Sequence, residues 1–160
     1  MDFGGRYHFA ADRLAVWAAL NDVAVLAAVI PGCDRIAWTG PDSLELRFKV
    51  NFGIVHPTFA GDLTLSDVHP AENYVLTGRG RGGLLGLAHG AARIQLEDAD
   101  AGTLLSFTAE GKADAGIMRL GRALIGRSAQ RVIDGFFESI GREMGVAVTA
   151  LPPPDTPQRF

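Results

Sequence analysis

The chain has 160 residues, a formal net charge of −3 and a hydrophobic content of 48%. This length and this content favour one domain with a packed core, and they exclude a disordered chain. The charge shows no basic excess of the kind that nucleic-acid-binding proteins carry. A single cysteine excludes an internal disulfide framework and a cysteine-only zinc site.

The N-terminal part of the chain predicts one strand followed by two short helices. Apolar or small residues alternate with other residues over positions 3–9, which is typical of a strand. Asp12 and Asp22 are suitable N-caps for two successive helices. The Pro-Gly pair at 31–32 ends the second helix.

A long region that follows alternates with period two, which predicts an antiparallel sheet with one covered face. The residues predicted to face the core are Leu44, Leu46, Phe48, Val50, Val55, Phe59, Leu63, Leu65, Tyr74, Leu76, Gly78, Gly80, Gly86, Ala88, Gly90, Ala92, Ile94, Leu96, Leu105, Phe107, Ala109 and Gly111.

From about residue 117 to residue 144 the period changes to that of an α-helix, and one long amphipathic helix is predicted. Its apolar arc contains Met118, Ile125, Val132, Ile133, Phe136, Phe137 and Ile140. Its polar face contains Arg127, Gln130, Arg131, Asp134, Glu138 and Arg142. Arg122 falls within the apolar arc, so its guanidinium either extends to the surface or donates to an oxygen atom of a ligand.

These elements predict an α+β helix-grip fold. A curved antiparallel sheet of about six to seven strands would carry two short helices after strand 1, and the long C-terminal helix would cover an apolar cavity. This domain spans residues 1–145, and the proline-rich segment 146–160 is predicted to be a disordered tail.

The stretch "GRGRGG" at 78–83 admits three interpretations. Gly78, Gly80 and Gly83 match the dinucleotide fingerprint G-x-G-x-x-G, but that fingerprint requires a helix afterwards, and the following residues alternate like a strand. A flexible hairpin that needs glycine is the second interpretation. The third, which we favour, is that small inward residues leave room for an apolar ligand between sheet and helix.

The sequence therefore predicts a ligand-binding cavity without catalytic or metal-binding residues. The predicted ligand-binding residues are Leu26, Ile30, Phe48, Phe59, Leu76, Ala88, Gly90, Phe107, Arg122, Leu124 and Phe136.

The four histidines lie on the outward phase of strands or in turns, which favours solvated side chains over a metal site. Cys33 could be a nucleophile, a metal ligand or a buried wall residue. No neighbouring base or cation in the sequence would activate its thiol, so we interpret it as a wall residue.

Several stretches resemble the CoxG family of carbon monoxide dehydrogenase, a branch of the helix-grip START/Bet v 1-like (SRPBCC) superfamily. The resemblance extends to about Met144 and rests on "VWAALND", "IPGC", "FAGDLTLSD", "GRGRGGLLGLAHGAA", "RLGRALIG" and "FFESI". It implies a non-catalytic accessory protein for a molybdenum hydroxylase of the carbon monoxide dehydrogenase type. The implied role is to couple that enzyme to the membrane or the quinone pool, with an isoprenoid quinone or another apolar molecule as a ligand that is not covalently bound.

Two alternatives from other classes stay open: a small-molecule cyclase or other helix-grip enzyme, and a protein-interaction module with only a small cavity. Residues 1–5 lack the features of a signal peptide, and the most apolar window, 14–30, is interrupted by Asn21 and Asp22. We therefore expect a cytoplasmic protein. The tail has no apolar or basic anchor, so any membrane contact at the inner face would be peripheral.

Overall fold

The computed structural model describes residues 1–50, 53–54, 56–83, 86–119 and 121–152. The order of the elements is β1 (Asp2–Phe9), α1 (Arg13–Leu20), α2 (Val23–Val29), β2 (Cys33–Gly40), β3 (Ser43–Lys49), β4 (Thr58–His69), β5 (Asn73–Arg81), β6 (Leu87–Ala99), β7 (Gly102–Ala113), α3 (Ala115–Met118), α4 (Arg122–Met144) and β8 (Val148–Leu151).

Both predicted helix caps are confirmed. The Asp12 carboxylate accepts a hydrogen bond from the Ala15 amide at 2.8 Å, and the Asp22 carboxylate accepts one from the Ala24 amide at 2.9 Å. Each bond satisfies an amide that has no partner within the first helical turn.

The described strands form one antiparallel sheet in the order β2-β3-β4-β5-β6-β7-β1-β8. The register places Leu46 opposite Gly61, Gly61 opposite Gly80 and Gly80 opposite Ala88, so the predicted inward residues within these strands share one face. Gly86, also predicted to face inward, instead lies in the turn before β6 with a φ of 92°. The helix-grip fold is confirmed, with eight strands where about six to seven were predicted. Val55, one of the predicted inward residues, lies outside the described residues.

The prediction of a tail without regular structure from residue 146 is wrong for Val148–Leu151. This segment pairs with the C-terminal half of β1, from Arg6 to Phe9. The turn after α4 is close because Gly141 has no side chain: an added Cβ there would overlap Val148. Residues 153–160 of the predicted tail lie outside the described part of the chain.

The prediction of one continuous helix from 117 to 144 is also wrong. Gly121 adopts a φ of 95°, which a helix does not accommodate, and it separates the one-turn helix α3 from α4. A single helical wheel therefore cannot describe both segments. Met118 belongs to α3, and Val132, predicted to lie in the apolar arc, is 37% exposed.

The hydrophobic core has two parts. The larger, the main cluster, joins α1, α2 and the second half of α4 to the sheet, and its fully buried members include Phe9, Val16, Leu105 and Ile140. The smaller, the second cluster, is built on buried Phe59 and Ile117, and its half-buried members are Phe48, Val50, Ala88, Ala113, Leu124 and Ile125. The α3 helix is held by Ile117, whereas α4 is held chiefly through its second half.

Candidate functional site

The interior between the sheet and α4 is well packed at one end. Tyr74, Ile94, Leu96 and Leu105 face inward there and are at most 5% exposed. We call this region, where the β4–β5 and β6–β7 turns lie, the closed end.

At the other end of the same strands, most inward residues are only half-buried, although Phe59 is buried in the second cluster. We call this region the open end, and its sheet residues are Gly61, Leu63, Leu76, Gly78, Gly80, Ala88, Gly90, Ala92, Ala109 and Gly111. Phe136 of α4 is also half-buried. Side chains on the covered face of a sheet normally pack against the covering layer, so their partial exposure means that α4 leaves space there.

Glycine and alanine create this space because they fill little of the volume beneath the helix. Gly78, Gly90 and Gly111 are neighbours across three strands, and Gly80 lies opposite Ala88 in the adjacent row. An added Cβ at Gly111 or Gly80 would meet its nearest atom only at 3.8 Å. At Gly90 it would lie 2.6 Å from the Glu110 carbonyl oxygen, so that glycine is required by backbone proximity.

The structure divides the predicted ligand-binding residues between the two clusters. Leu26 and Phe107 are buried in the main cluster, with Ile30, Leu76 and Phe136 packed against it. The second cluster unites Phe48, Phe59, Ala88 and Leu124, and the rings of Phe48 and Phe59 stack at 5.8 Å. Arg122 is exposed at the first position of α4, and Gly90 lies half-buried between these groups. Ligand contact by these residues stays a prediction.

A polar contact between β1 and α4 was not predicted. The buried Tyr7 hydroxyl donates to Asp134 Oδ1 at 2.6 Å, and Gln130 Nε2 donates to the same oxygen at 3.1 Å. Burial, followed by the contact with the Asp134 carboxylate, raises the pKa of Tyr7 above its ordinary value, so the hydroxyl stays a donor. The helical wheel could not reveal this pair because it does not show which strand lies beside the polar face of α4.

Beyond this contact, α4 carries a solvent-open groove of about 510 Å³. Apart from Gly135, the residues that line it have charged or polar head groups: Arg127, Gln130, Arg131, Asp134 and Glu138. A groove that is open to solvent and bordered by charged groups does not enclose an apolar ligand, which favours the open end over the groove as the predicted apolar site.

The glycine-rich stretch lies in a β-hairpin. Gly78 and Gly80 belong to β5, Gly83 adopts a φ of 61° after the strand ends, and β6 begins at Leu87. The helix that a dinucleotide fingerprint requires is therefore replaced by a strand.

Cys33 and the histidines are the remaining candidate residues. Cys33 is half-buried at the start of β2 and packs against the main cluster. His56, His69 and His89 are exposed, and His8 contacts the Asp100 carbonyl oxygen at 2.9 Å. In the described part of the chain, no cluster of histidine, cysteine or acidic residues could hold a metal ion. Among the described helices, none has the length and apolar content needed to cross a bilayer.

Solved structures with the same fold are numerous. A conserved protein from Geobacillus kaustophilus superposes with a TM-score of 0.83 at 22% identity, covering 92% of this chain and 99% of that one. The Zhui aromatase/cyclase from Streptomyces sp. R1128 superposes with a TM-score of 0.63 at 15% identity, covering 91% of this chain and 93% of that one. Ara h 8.0201 superposes with a TM-score of 0.64 at 14% identity, covering 90% of this chain and 97% of its own. These similarities establish the helix-grip, Bet v 1-like fold.

Comparison with curated proteins found no match. The sequence pattern of one family, that of the G subunit of carbon monoxide dehydrogenase (CoxG), matches residues 5–145, which include every element from α1 to α4. The chain therefore belongs to the CoxG family of carbon monoxide dehydrogenase.

Proposed function

We propose that the chain holds an apolar, quinone-like or lipid-like molecule between α4 and the open end of the sheet. The observation that carries this proposal is the partial exposure of inward apolar residues such as Leu63, Leu76 and Phe136. A ligand that covered them would remove apolar surface from water, at about 25 cal/mol per Å². An isoprenoid quinone suits the site because its chain could contact the aliphatic and aromatic lining.

We also propose that the protein is a non-catalytic accessory to a molybdenum hydroxylase of the carbon monoxide dehydrogenase type, and that it assists the coupling of that enzyme to the quinone pool or the membrane. Membership of the CoxG family supports the association. A carrier of a redox-active apolar molecule would allow electrons to leave the hydroxylase for the quinone pool.

The experiment is mass spectrometry of an organic extract of the purified protein. We expect an isoprenoid quinone or a lipid at close to one molecule per chain. The matched sample is Ala88→Phe, which places a large ring at the inward face of β6 and should lose the molecule while remaining folded. Equal amounts of apolar material from both proteins, or none from either, would contradict the proposal.

A helix-grip enzyme is the alternative that the Tyr7–Asp134 pair favours, since polar groups at the interior can take part in proton transfer. A carrier returns its ligand chemically unchanged. Incubation of the bound molecule with the protein, followed by mass spectrometry, would show a new product only if the chain is an enzyme.

A further inference from the structure

The outward face of the sheet carries an uneven distribution of charge. Near the open end it presents six cations, which we call the basic face: Arg35, Arg47, Lys49, Arg79, Arg81 and Lys112. Four carboxylates lie among them: those of Asp34, Glu45, Asp62 and Asp114, the last of which accepts a hydrogen bond from the Leu87 amide beside Arg81. The basic face and these carboxylates together carry a charge of +2 although the whole chain carries −3, so the rest of the molecule carries −5.

The register of the strands places two of these cations directly opposite each other, Arg35 and Arg47, whereas Arg79 lies between Asp62 and His89. Like charges directly opposite each other in a sheet are destabilising. The pairing of Arg35 with Arg47 therefore does not stabilise the sheet, which points to a role outside the chain.

The chain itself neutralises little of this charge. Arg47 contacts Asp34 at 3.6 Å, with both side chains about half exposed. Within the described ranges no carboxylate lies within 4.0 Å of the cationic atoms of Arg79, Arg81 or Lys112, and all three residues are exposed. Their charge is therefore available to a partner.

We propose that the basic face is a docking surface for an acidic surface of a protein partner. A uniformly anionic lipid surface would be repelled by Asp34, Glu45 and Asp62, which lie among the cations. A protein surface can place acids opposite the arginines and cations opposite these three carboxylates. The side chains project from strands of fixed register, so the spacing of their Cα atoms is fixed and a partner can match the order of the charges.

This inference rests on the proposed function for the identity of the partner, the molybdenum hydroxylase. It gives the two faces of the sheet different binding roles. The inner face at the open end would hold the apolar molecule, and the outer face at the same end would contact the hydroxylase, which brings the ligand close to its electron donor.

The test compares Arg81→Glu with Arg93→Glu. Both arginines are exposed on the outward face, and both have uncharged cross-strand neighbours. Arg81 lies between Ala60 and Leu87, and Arg93 lies between Val75 and Thr108. Both substitutions change the net charge equally, but Arg93 lies six residues along β6 from Leu87, about 20 Å away. Binding of the full chain to the purified hydroxylase is measured by surface plasmon resonance at several salt concentrations.

We expect Arg81→Glu to lower the association rate at low salt by about ten-fold or more, with Arg93→Glu within about two-fold of the unaltered protein. Circular dichroism checks that both variants fold, and Lys112→Glu provides a second variant of the basic face. Equal decreases in the association rate of both arginine variants would overturn the basic face as the docking surface, but not the association of the chain with the hydroxylase. Binding to phosphatidylglycerol vesicles, but not to the hydroxylase, would overturn the protein partner. If the unaltered chain did not bind the hydroxylase, the association itself would be overturned. Mass spectrometry of the organic extract would then still test the apolar binding site on its own.

Discussion

At the scale of single residues, the Tyr7–Asp134 contact is the strongest polar link between the sheet and α4. The Tyr7 ring also packs against Phe137, with centroids 4.5 Å apart. Hydrogen bonds to charged groups contribute about 1.5–3 kcal/mol, and Asp134 retains the Gln130 bond when Tyr7 is altered. The pair therefore fixes the second half of α4 on β1.

Tyr7→Phe should consequently lower the free energy of unfolding by about 1–2 kcal/mol. Tyr74→Phe is the matched control, because the structure describes a buried ring in edge contact with Trp17 but no hydrogen bond of its hydroxyl. Urea denaturation should show a small change for Tyr74→Phe. If Tyr7→Phe lowered the free energy of unfolding no more than Tyr74→Phe does, the hydrogen bond would not be what holds α4 on β1.

Stability should also fall in alkaline solution. Burial raises the pKa of Tyr7 and of Tyr74 above the ordinary value of 10.0. Below that value both hydroxyls are protonated in the folded and unfolded chain, so their contribution is complete. Above it the unfolded chain loses protons that the folded chain keeps, and the free energy of unfolding falls by up to about 1.4 kcal/mol per pH unit for each tyrosine.

Urea midpoints measured between about pH 9 and pH 11 test this linkage. The double variant Tyr7→Phe/Tyr74→Phe should show a shallower decline than the unaltered protein. Parallel declines in the two proteins would mean that other groups cause the alkaline loss.

At the scale of elements, the break between α3 and α4 separates a fixed segment from a loosely held one. Ile117 is 3% exposed in the second cluster, and Asp114, which precedes α3, accepts a hydrogen bond from the Leu87 amide at 2.9 Å. The first half of α4 begins at Arg122, after the N-cap residue Gly121, which offers no capping side chain, and Ser128 is the one residue of this half described as buried. The second half contains Phe137, Ile140 and Gly141 in buried positions.

The same substitution at two glycines should have opposite effects. Gly121→Ala should destabilise the chain by about 1–3 kcal/mol, because its φ of 95° suits only glycine well. Gly135→Ala should stabilise it by about 1 kcal/mol, because Gly135 lies inside α4 with open space at its Cβ position. Thermal denaturation checks both, and a stabilising Gly121→Ala would show that the backbone there is not constrained.

Hydrogen exchange should distinguish the two halves of α4. In the ligand-free protein, amides at 122–129 should exchange faster than those at 133–141, since fewer buried contacts hold the first half. A bound apolar molecule should slow exchange at 122–129 together with the open-end residues 86–92. Uniform protection along α4 without ligand would rule out the first half as the moving segment.

At the scale of the whole molecule, most of the fold could be predicted from periodicity. Period-two alternation identified the inward face of the sheet, and Asp12 and Asp22 marked the helix starts through local capping. What periodicity misses depends on contacts distant in sequence or on backbone geometry. The β8 strand is four residues long and forms only because it meets β1, and the break at Gly121 depends on a φ that the sequence does not reveal.

The sequence predicted that the small residues share one face of the sheet, but it did not show the surroundings of the other candidate residues. The run of small residues on β5, β6 and β7 indicated the open end, and their registers show that they are neighbours. Arg122, predicted as a ligand contact, is exposed because α4 begins at that residue. The basic face was invisible in a net charge of −3, since it emerges only when strand pairing gathers cations from several strands.

An apolar molecule bound beneath α4 at the open end should stabilise the folded chain. We would measure the thermal shift that decylubiquinone produces in the unaltered chain, in Ala88→Phe and in Ala91→Phe. Ala88 faces inward on β6 opposite Gly80, whereas Ala91 lies on the outward face of the same strand opposite Thr77. The two variants thus add the same ring to opposite faces of one strand.

A ligand at 100 times its Kd stabilises the folded state by about 2.7 kcal/mol, which corresponds to a rise in Tm of several degrees for a chain of this length. We expect that rise in the unaltered chain and in Ala91→Phe, and its loss in Ala88→Phe without a large drop in the ligand-free Tm. An undiminished rise in Tm in Ala88→Phe would contradict this expectation. So would a ligand-free Ala88→Phe that is destabilised by roughly 1–3 kcal/mol, which is the cost of overpacking a filled core.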